Sequence, residues 1–530
     1  MSSTIQYSAG GPTPPAPLSP LRNRLLACVA AAMIAGAFPA PALAQPATSY
    51  EVAAEIRSSV NRELRTFYRN RGYRPLWIRN GEPGPEADRL VELVASADLD
   101  GLDPSDYDPG DLRRAVERAR DGSPEALAKA ELKLSRTFAD YVRDVRRPPS
   151  VKMVYLDKEL EPERPTAAAV LRAAAVAPSL ADYMDRNGWT SPFYARLREG
   201  LAEHRSRWAG LPEFTIPGGP ALRPGSKGER VRMLRLRLGL PDGAAFDKAL
   251  AATVEDFQAA HGLPADGIVG AATIATLNRG SGHYARMIQL NLERARALPA
   301  FSNDRHIVVD AAAQRLWLYE NGEAVDTMKV IVGKPSEPTP MLAGVMRYAV
   351  VNPYWNVPPD LVRKSILPKL LDRGTTLRAM GYEALSDWTH DARVLEPDEI
   401  DWDAVASGRQ ELRVRQLPGK GNAMGKMKFM FPNDLGIYLH DTPDKALFDE
   451  EERRFSSGCV RVEDAPRLAK WLFGEPIRAS SDEPEQQVNL DRPVPVYITY
   501  LTAAPTETGI AFREDAYGRD DGQLERLASR

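Results

Sequence analysis

The sequence predicts a multidomain α+β chain: a helical amino-terminal region, a small three-helix module, and a mostly-β final third with a helical insertion. Three observations predict it. Apolar residues recur at helical spacing from about residue 50 to 208. A Pro/Gly-rich connector, Ile216-Pro217-Gly218-Gly219-Pro220, precedes a second, compact helical pattern. Beyond residue 304 the pattern becomes short alternating runs punctuated by turn residues.

The elements follow in order. Residues 1 to 20 are rich in Pro, Ser and Gly; Arg22 and Arg24 form a positive n-region, and Leu25 to Phe38 is apolar. Ala42-Leu43-Ala44 has the small-x-small form of a cleavage site, so residues 1–44 read as a signal peptide and the mature chain starts at Gln45. Such a leader implies export, with membrane attachment only if the segment stays uncleaved. The apolar run is short for a span and is broken by Pro39 and Pro41. Cys28 falls inside the leader and leaves Cys459 as the mature chain's thiol. The chain has 530 residues, 43% hydrophobic and 27% charged, with net charge −3; that is length for about three domains and offers no electrostatic case for nucleic acid.

In residues 45–208, Val52, Ile56, Val60, Leu64 and Phe67 are about one helical turn apart. Leu90 to Ala97 and Leu132 to Val145 behave alike, and Trp77 reads as core. In residues 219–280, Val231, Leu234 and Leu238 share one helical face, a second helix begins at Phe246-Asp247 and ends at Gly262-Leu263, and Asp266 to Gly270 is a turn before a last helix.

Residues 304–501 turn to β. His306 to Asp310 and Arg315 to Tyr319 are strands; Glu320-Asn321-Gly322 is a tight-turn signal, and Val325 to Val332 returns as a hairpin partner. Tyr348 to Asn352, Lys428 to Phe431 and Pro493 to Leu501 add strands. The helical, polar stretch from about 360 to 410 is too long for a simple connection and reads as a cap over a site. Residues 502–530 read as a C-terminal tail, charged and partly disordered from about Pro505.

Cys459 lies in Phe455-Ser456-Ser457-Gly458-Cys459-Val460-Arg461, and His440 lies upstream in Ile437-Tyr438-Leu439-His440. A lone exported thiol has no internal disulfide partner. Carbonyl attack needs a thiolate, and a neighbouring imidazole can take the proton, hold a thiolate–imidazolium pair and later protonate a leaving amine. Gly458 permits a turn whose N–H groups face a developing oxyanion, so Ser457, Gly458 and Cys459 are candidate backbone donors. In an extended segment Arg461 shares the face of Cys459, where it binds a substrate carboxylate or pairs with Glu463 or Asp464. No metal or phosphate motif is present, and His204, His261, His283, His306 and His390 lack ligand spacing; no cofactor is expected.

Two resemblances follow from these residues. Phe257-Gln258, His261-Gly262-Leu263, Asp266-Gly267-Ile268-Val269-Gly270, Thr273 and Leu277 resemble the small peptidoglycan-binding domain of cell-wall enzymes; Arg235 departs from it where glutamine is frequent. His440 followed by Ser456-Ser457-Gly458-Cys459-Val460-Arg461 resembles the L,D-transpeptidase signature, with Ser457 where many members have histidine. Val332-Gly333-Lys334-Pro335, Val351 to Pro359 and Gly421 to Phe429 match the large periplasmic branch of Gram-negative bacteria, whose order is scaffold, peptidoglycan-binding and catalytic domain.

The resemblance implies an enzyme of cell-wall biogenesis and cell shape that forms 3→3 cross-links through a Cys459 acyl-enzyme on tetrapeptide stems, with His440 as base and acid. It also implies orientation of His440 by a backbone carbonyl, acylation by carbapenem β-lactams, a cap subdomain at 360–410, and Tyr438, Trp355 and Asn356 with Arg461 about the substrate. The partners would be peptidoglycan stem peptides and glycan. An L,D-carboxypeptidase on the same site and a non-catalytic peptidoglycan-binding protein stay open as alternatives.

Overall fold

The computed structural model describes residues 49–300, 304–389, 391–506 and 509–528. The proposed signal peptide, residues 1–44, and His390 lie outside the described residues.

The first helices are α1 (Ser49–Ser59), α2 (Arg62–Asn70), α3 (Pro85–Ala95), α4 (Pro109–Ala119) and α5 (Pro124–Val145), with a short ribbon β1 (Ile78–Arg79) and β2 (Glu82–Pro83) between α2 and α3. After a strand β3 (Val154–Tyr155) come α6 (Ala167–Val176), α7 (Leu180–Asp185) and α8 (Pro192–Trp208). Local chemistry starts these helices: Asn61, Ser123, Thr166, Ser179 and Ser191 each accept from an N–H of the first turn. Proline occupies the first turn of α3, α4, α5 and α8, where no N–H is needed. Trp77 is fully buried, as its sequence context predicts. It sits above Glu131, a buried carboxylate that accepts from Tyr68 Oη (2.6 Å) and from the N–H groups of Leu76 (2.7 Å) and Trp77 (2.9 Å).

The second module is α9 (Glu229–Arg237), α10 (Lys248–Ala260) and α11 (Ala271–Arg279) around Val231, Leu234, Leu250, Val254, Phe257 and Leu277. Gln258 staples its last turn. Its amide donates to Asp266 Oδ1 (2.9 Å) and the Ile268 carbonyl (2.9 Å), and accepts from Gly267 N (2.9 Å). The residues that mark this module in the sequence therefore hold its fold. Arg235 is buried and pairs with Asp247 (2.8 Å). Helix α12 (Ser281–Ala295) then leads into the β region.

That region contains β4 (His306–Asp310), β5 (Arg315–Glu320), β6 (Glu323–Gly333) and β7 (Leu342–Val351). The insertion follows: β8 (Trp355–Val357), α13 (Pro359–Leu361), α14 (Leu367–Arg373), β9 (Tyr382–Leu385), β10 (Val394–Leu395), α15 (Trp402–Ala406) and β11 (Arg413–Gln416). The chain continues through β12 (Met427–Met430), β13 (Leu439–His440), β14 (Arg454–Ser456), β15 (Val460–Val462), α16 (Ala465–Phe473), β16 (Gln486–Thr499), β17 (Ala503–Pro505), β18 (Ile510–Phe512) and α17 (Asp521–Ala528). The pairings run β12-β13-β15-β6-β5-β4-β16-β7, and β7 pairs back to β12, closing a circuit around Val309, Leu318, Val330, Met346, Phe429, Val460 and Ile498. Asn321 and Gly322 take positive φ (51° and 80°) in the two-residue turn between β5 and β6.

Three expectations change. The insertion has the expected helices, but also a four-stranded sheet, β10-β9-β11-β8, with its own core of Val357, Ile366, Leu370, Ala384, Val405 and Val414. Its strands of two to four residues are too short to stand out as alternating patterns. The carboxy-terminal segment is not a loose tail: β17 and β18 form a hairpin, Asp520 pairs with Arg294 inside the protein (2.7 Å), and Tyr517 stacks on Tyr500. Its anchors are scattered among charges, so no periodicity announces them. Finally, β3 from the helical region adds in parallel to β7 through Val154↔Leu342 and Tyr155↔Ala343.

Candidate active site

Strands β13 and β15 run parallel, with Leu439 opposite Val460 and His440 opposite Arg461. Side chains alternate along a strand, so Tyr438, His440, Cys459 and Arg461 fall on one face. All four line a cleft of about 740 Å³ between this face and the insertion. The insertion contributes Tyr354, Trp355, Asn356 and Trp388. Trp355 is half-buried against the insertion's core, Asn356 is exposed, and the Tyr354 ring carries the Arg415 guanidinium at 4.1 Å.

The turn before Cys459 is clamped from within. Ser456 Oγ donates to the Cys459 carbonyl (2.5 Å) and accepts from Gly458 N (3.2 Å). Gly458 has φ +107°, a conformation that a side chain would strain, and a Cβ there would lie 3.2 Å from Ile437 Cδ1. Thr339 Oγ1 accepts from Gly333 N (2.8 Å) and donates to the Gly458 carbonyl (2.8 Å), tying the turn to the end of β6. One expectation needs correction here: the Gly458 N–H is turned to Ser456 Oγ rather than to the cleft. Among the described residues the N–H groups of Ser457 and Cys459 carry no intramolecular backbone bond, which leaves them as the candidate donors.

His440 is buried, and its Nδ1 lies 2.6 Å from the Asp441 carbonyl. A carbonyl only accepts, so Nδ1 carries the proton and Nε2 of the neutral ring is a bare acceptor. Asp441 is itself fixed: its carboxylate accepts from Lys426 N (2.9 Å) and pairs with Lys445 Nζ (2.8 Å). Gly425 makes room for this carboxylate, since a Cβ there would come within 2.4 Å of Asp441 Oδ2. The family resemblance implies a carbonyl partner without locating it, and it is that of the next residue, Asp441; Gly425, Lys426 and Thr339 have no sequence signal as supports because each acts on a residue farther along the chain.

Burial, aided by the Arg461 charge, pulls the His440 pKa down to about 4, while burial pushes the Cys459 thiol up. Both shifts favour the neutral forms of imidazole and thiol over the thiolate–imidazolium pair that the sequence suggests. The thiol, half-buried, donates to the Gly436 carbonyl (3.2 Å). Arg461 pairs with neither Glu463 nor Asp464. Its guanidinium lies 3.7 Å from Asp444, while Glu463 accepts from Lys329 N and Asp464 caps α16.

Family models match three stretches: an L,D-transpeptidase catalytic domain over residues 304–495, a scaffold domain over 62–201, and a "putative peptidoglycan binding domain" over 234–277. A Haemophilus influenzae protein named "Putative L,D-transpeptidase" is 34% identical over 247 residues, which cover 45% of this chain; the chain spans about half (49%) of that relative's length. Among solved structures, an L,D-transpeptidase from Mycobacterium smegmatis is 14% identical, covers 37% of this chain and 58% of its own, and has a TM-score of 0.19. The catalytic domain of the E. faecium L,D-transpeptidase is 18% identical, covers 37% and 98%, and has a TM-score of 0.17. Likenesses at these scores carry no weight for the chemistry of this chain.

Proposed function

We propose, from the match of residues 304–495 to an L,D-transpeptidase catalytic-domain model, that this chain cross-links peptidoglycan stems through an acyl-enzyme on Cys459. The observation that carries the reading is the shared cleft of Cys459, His440 and Arg461 on two adjacent strands, beneath the insertion. As Sγ attacks the carbonyl of the third residue of a tetrapeptide stem, its proton passes to His440 Nε2. The N–H groups of Ser457 and Cys459 receive the developing oxyanion. The carbon–nitrogen bond then breaks, and His440 gives the proton to the departing D-alanine amine. The side-chain amine of a diamino acid on a second stem attacks the thioester, loses its proton to His440, and releases a 3→3 cross-link and free Cys459.

The match of residues 234–277 to a peptidoglycan-binding domain supports a wall-bound substrate. The reading places the protein in the periplasm, exported by cleavage after residue 44. Among the described residues no helix is long and apolar enough to cross a membrane. Carbapenem β-lactams would acylate the same sulfur.

The test is intact-mass measurement of wild type and Cys459→Ala after carbapenem treatment, followed by product analysis on tetrapeptide muropeptides. An adduct on wild type alone, with dimers as products, is expected. Tripeptides without dimers would make the protein an L,D-carboxypeptidase; no adduct on wild type would leave a binding protein.

A further inference from the structure

The strand register builds a row that the reaction above does not use in full. On β12, Lys428 stands directly opposite His440 of β13; on β15, Arg461 stands directly opposite the same histidine. Residues directly opposite one another project to one face. The three adjacent strands thus present Lys428, His440 and Arg461 side by side, and all three line the cleft. The two cations lie two strand spacings apart, about 10 Å between backbones.

The two ends of the row differ. Arg461, on β15, sits two residues past Cys459 in the turn that leads into that strand. Lys428 is largely covered, with 13% of its side chain exposed, and its ammonium is held by both oxygens of Glu485 (3.0 and 3.2 Å). Glu485 also accepts from Tyr354 N (2.7 Å) at the cleft wall. An ammonium has three donors, and burying one beside a catalytic histidine costs desolvation that a plain structural contact does not need.

Resting on the transpeptidase reading, we propose that Lys428 is a second carboxylate anchor that selects donor stems whose third residue is a diamino acid with a free side-chain carboxylate. The donor has one carboxylate on its leaving D-alanine, close to the scissile carbonyl, within reach of Arg461 beside the sulfur. Its other carboxylate lies at the far end of the third residue's side chain. The cation farther from the sulfur, across His440, matches it. Glu485 holds the ammonium in place between turnovers and shares it with the substrate.

The experiment compares two tetrapeptide donors that differ only in that side-chain group, carboxylate against carboxamide, by the rate of acyl-enzyme formation. Wild type should favour the carboxylate by about tenfold or more in kcat/KM, the range of a hydrogen bond to a charged partner. Lys428→Gln should abolish that preference by slowing the carboxylate donor about tenfold more than the carboxamide donor, mainly through KM, with an unchanged melting temperature as the control for folding. Glu485→Gln, which leaves the ammonium unneutralised, should widen the preference. Equal rates for both donors on wild type overturn the anchor and leave the transpeptidase reading standing. Equal slowing of both donors by Lys428→Gln, or an unchanged preference in Glu485→Gln, returns Lys428 to a structural pair. No acyl-enzyme from either donor on wild type overturns the transpeptidase reading as well.

Discussion

In the proposed reaction His440 accepts a proton and gains from being neutral at rest, a state its neighbours favour. Burial comes first, Arg461 next, and Lys428 adds in the same direction. The base is present above the pKa and lost below it. Acylation in kcat/KM should therefore hold from pH 7 down through 5, halve near pH 4, and fall about tenfold per unit only below that. A stopped-flow pH profile with a carbapenem checks this; an acid limb near the ordinary histidine value of about 6.5 would show an imidazole that titrates freely. Gly458 gives a second prediction at this scale. Its φ of +107° and the nearness of Ile437 make Gly458→Ala cost about 1–3 kcal/mol in denaturant unfolding, with loss of acylation. An alanine variant of unchanged stability and rate would mean that the turn tolerates a side chain.

Between elements, Thr339 is the hydroxyl that joins the end of β6 to the nucleophile turn, with a 2.8 Å bond on each side. Thr339→Val keeps the shape and removes both bonds, leaving the Gly333 N–H and the Gly458 carbonyl buried without that partner. It should cost about 1–3 kcal/mol and slow acylation more than Thr339→Ser does, by melting and adduct kinetics on the three proteins. Equal behaviour of the Val and Ser variants would reject the bridge. This support also marks where sequence reading stops. The Asn321-Gly322 hairpin and the Cys459–His440 neighbourhood were legible, since turn chemistry and residue type are local. The Thr339 link, the parallel addition of β3 and the sheet inside the insertion were not. Each depends on a partner far away in the chain, and a two-residue strand has no period of its own. The charged carboxy-terminal segment misled for a related reason: Asp520 reads as solvated until Arg294 is placed beside it.

Across the whole molecule, neutral buried histidines set an acid limit on stability. His204, His261 and His440 are all pulled down to about 4, burial being the largest cause in each. Two of them sit where the helical region, the second module and the carboxy-terminal hairpin meet. His261 stacks on Phe257 (4.0 Å) and on Phe512 (5.9 Å), and its ring centre lies 5.6 Å from that of His204. His204 is 5% exposed, and neither ring nitrogen has a partner among the described residues. A group whose folded pKa is depressed takes up its proton in the unfolded chain first. The stability it contributes is full above about pH 6.5 and is lost as pH falls toward 4, on the order of 1–2 kcal/mol per histidine at pH 5. Buried Glu131 and Asp310, whose pKa values burial raises, act in the opposite sense, so the net slope alone is not diagnostic. The difference between proteins is. His204→Leu should match or exceed wild type in urea midpoint at pH 7 and should lose less on going to pH 5, because an apolar side chain of similar burial has no proton to refuse. Parallel loss in the two proteins would place the acid sensitivity elsewhere and would remove the three-way junction as the point where protonation opens the fold.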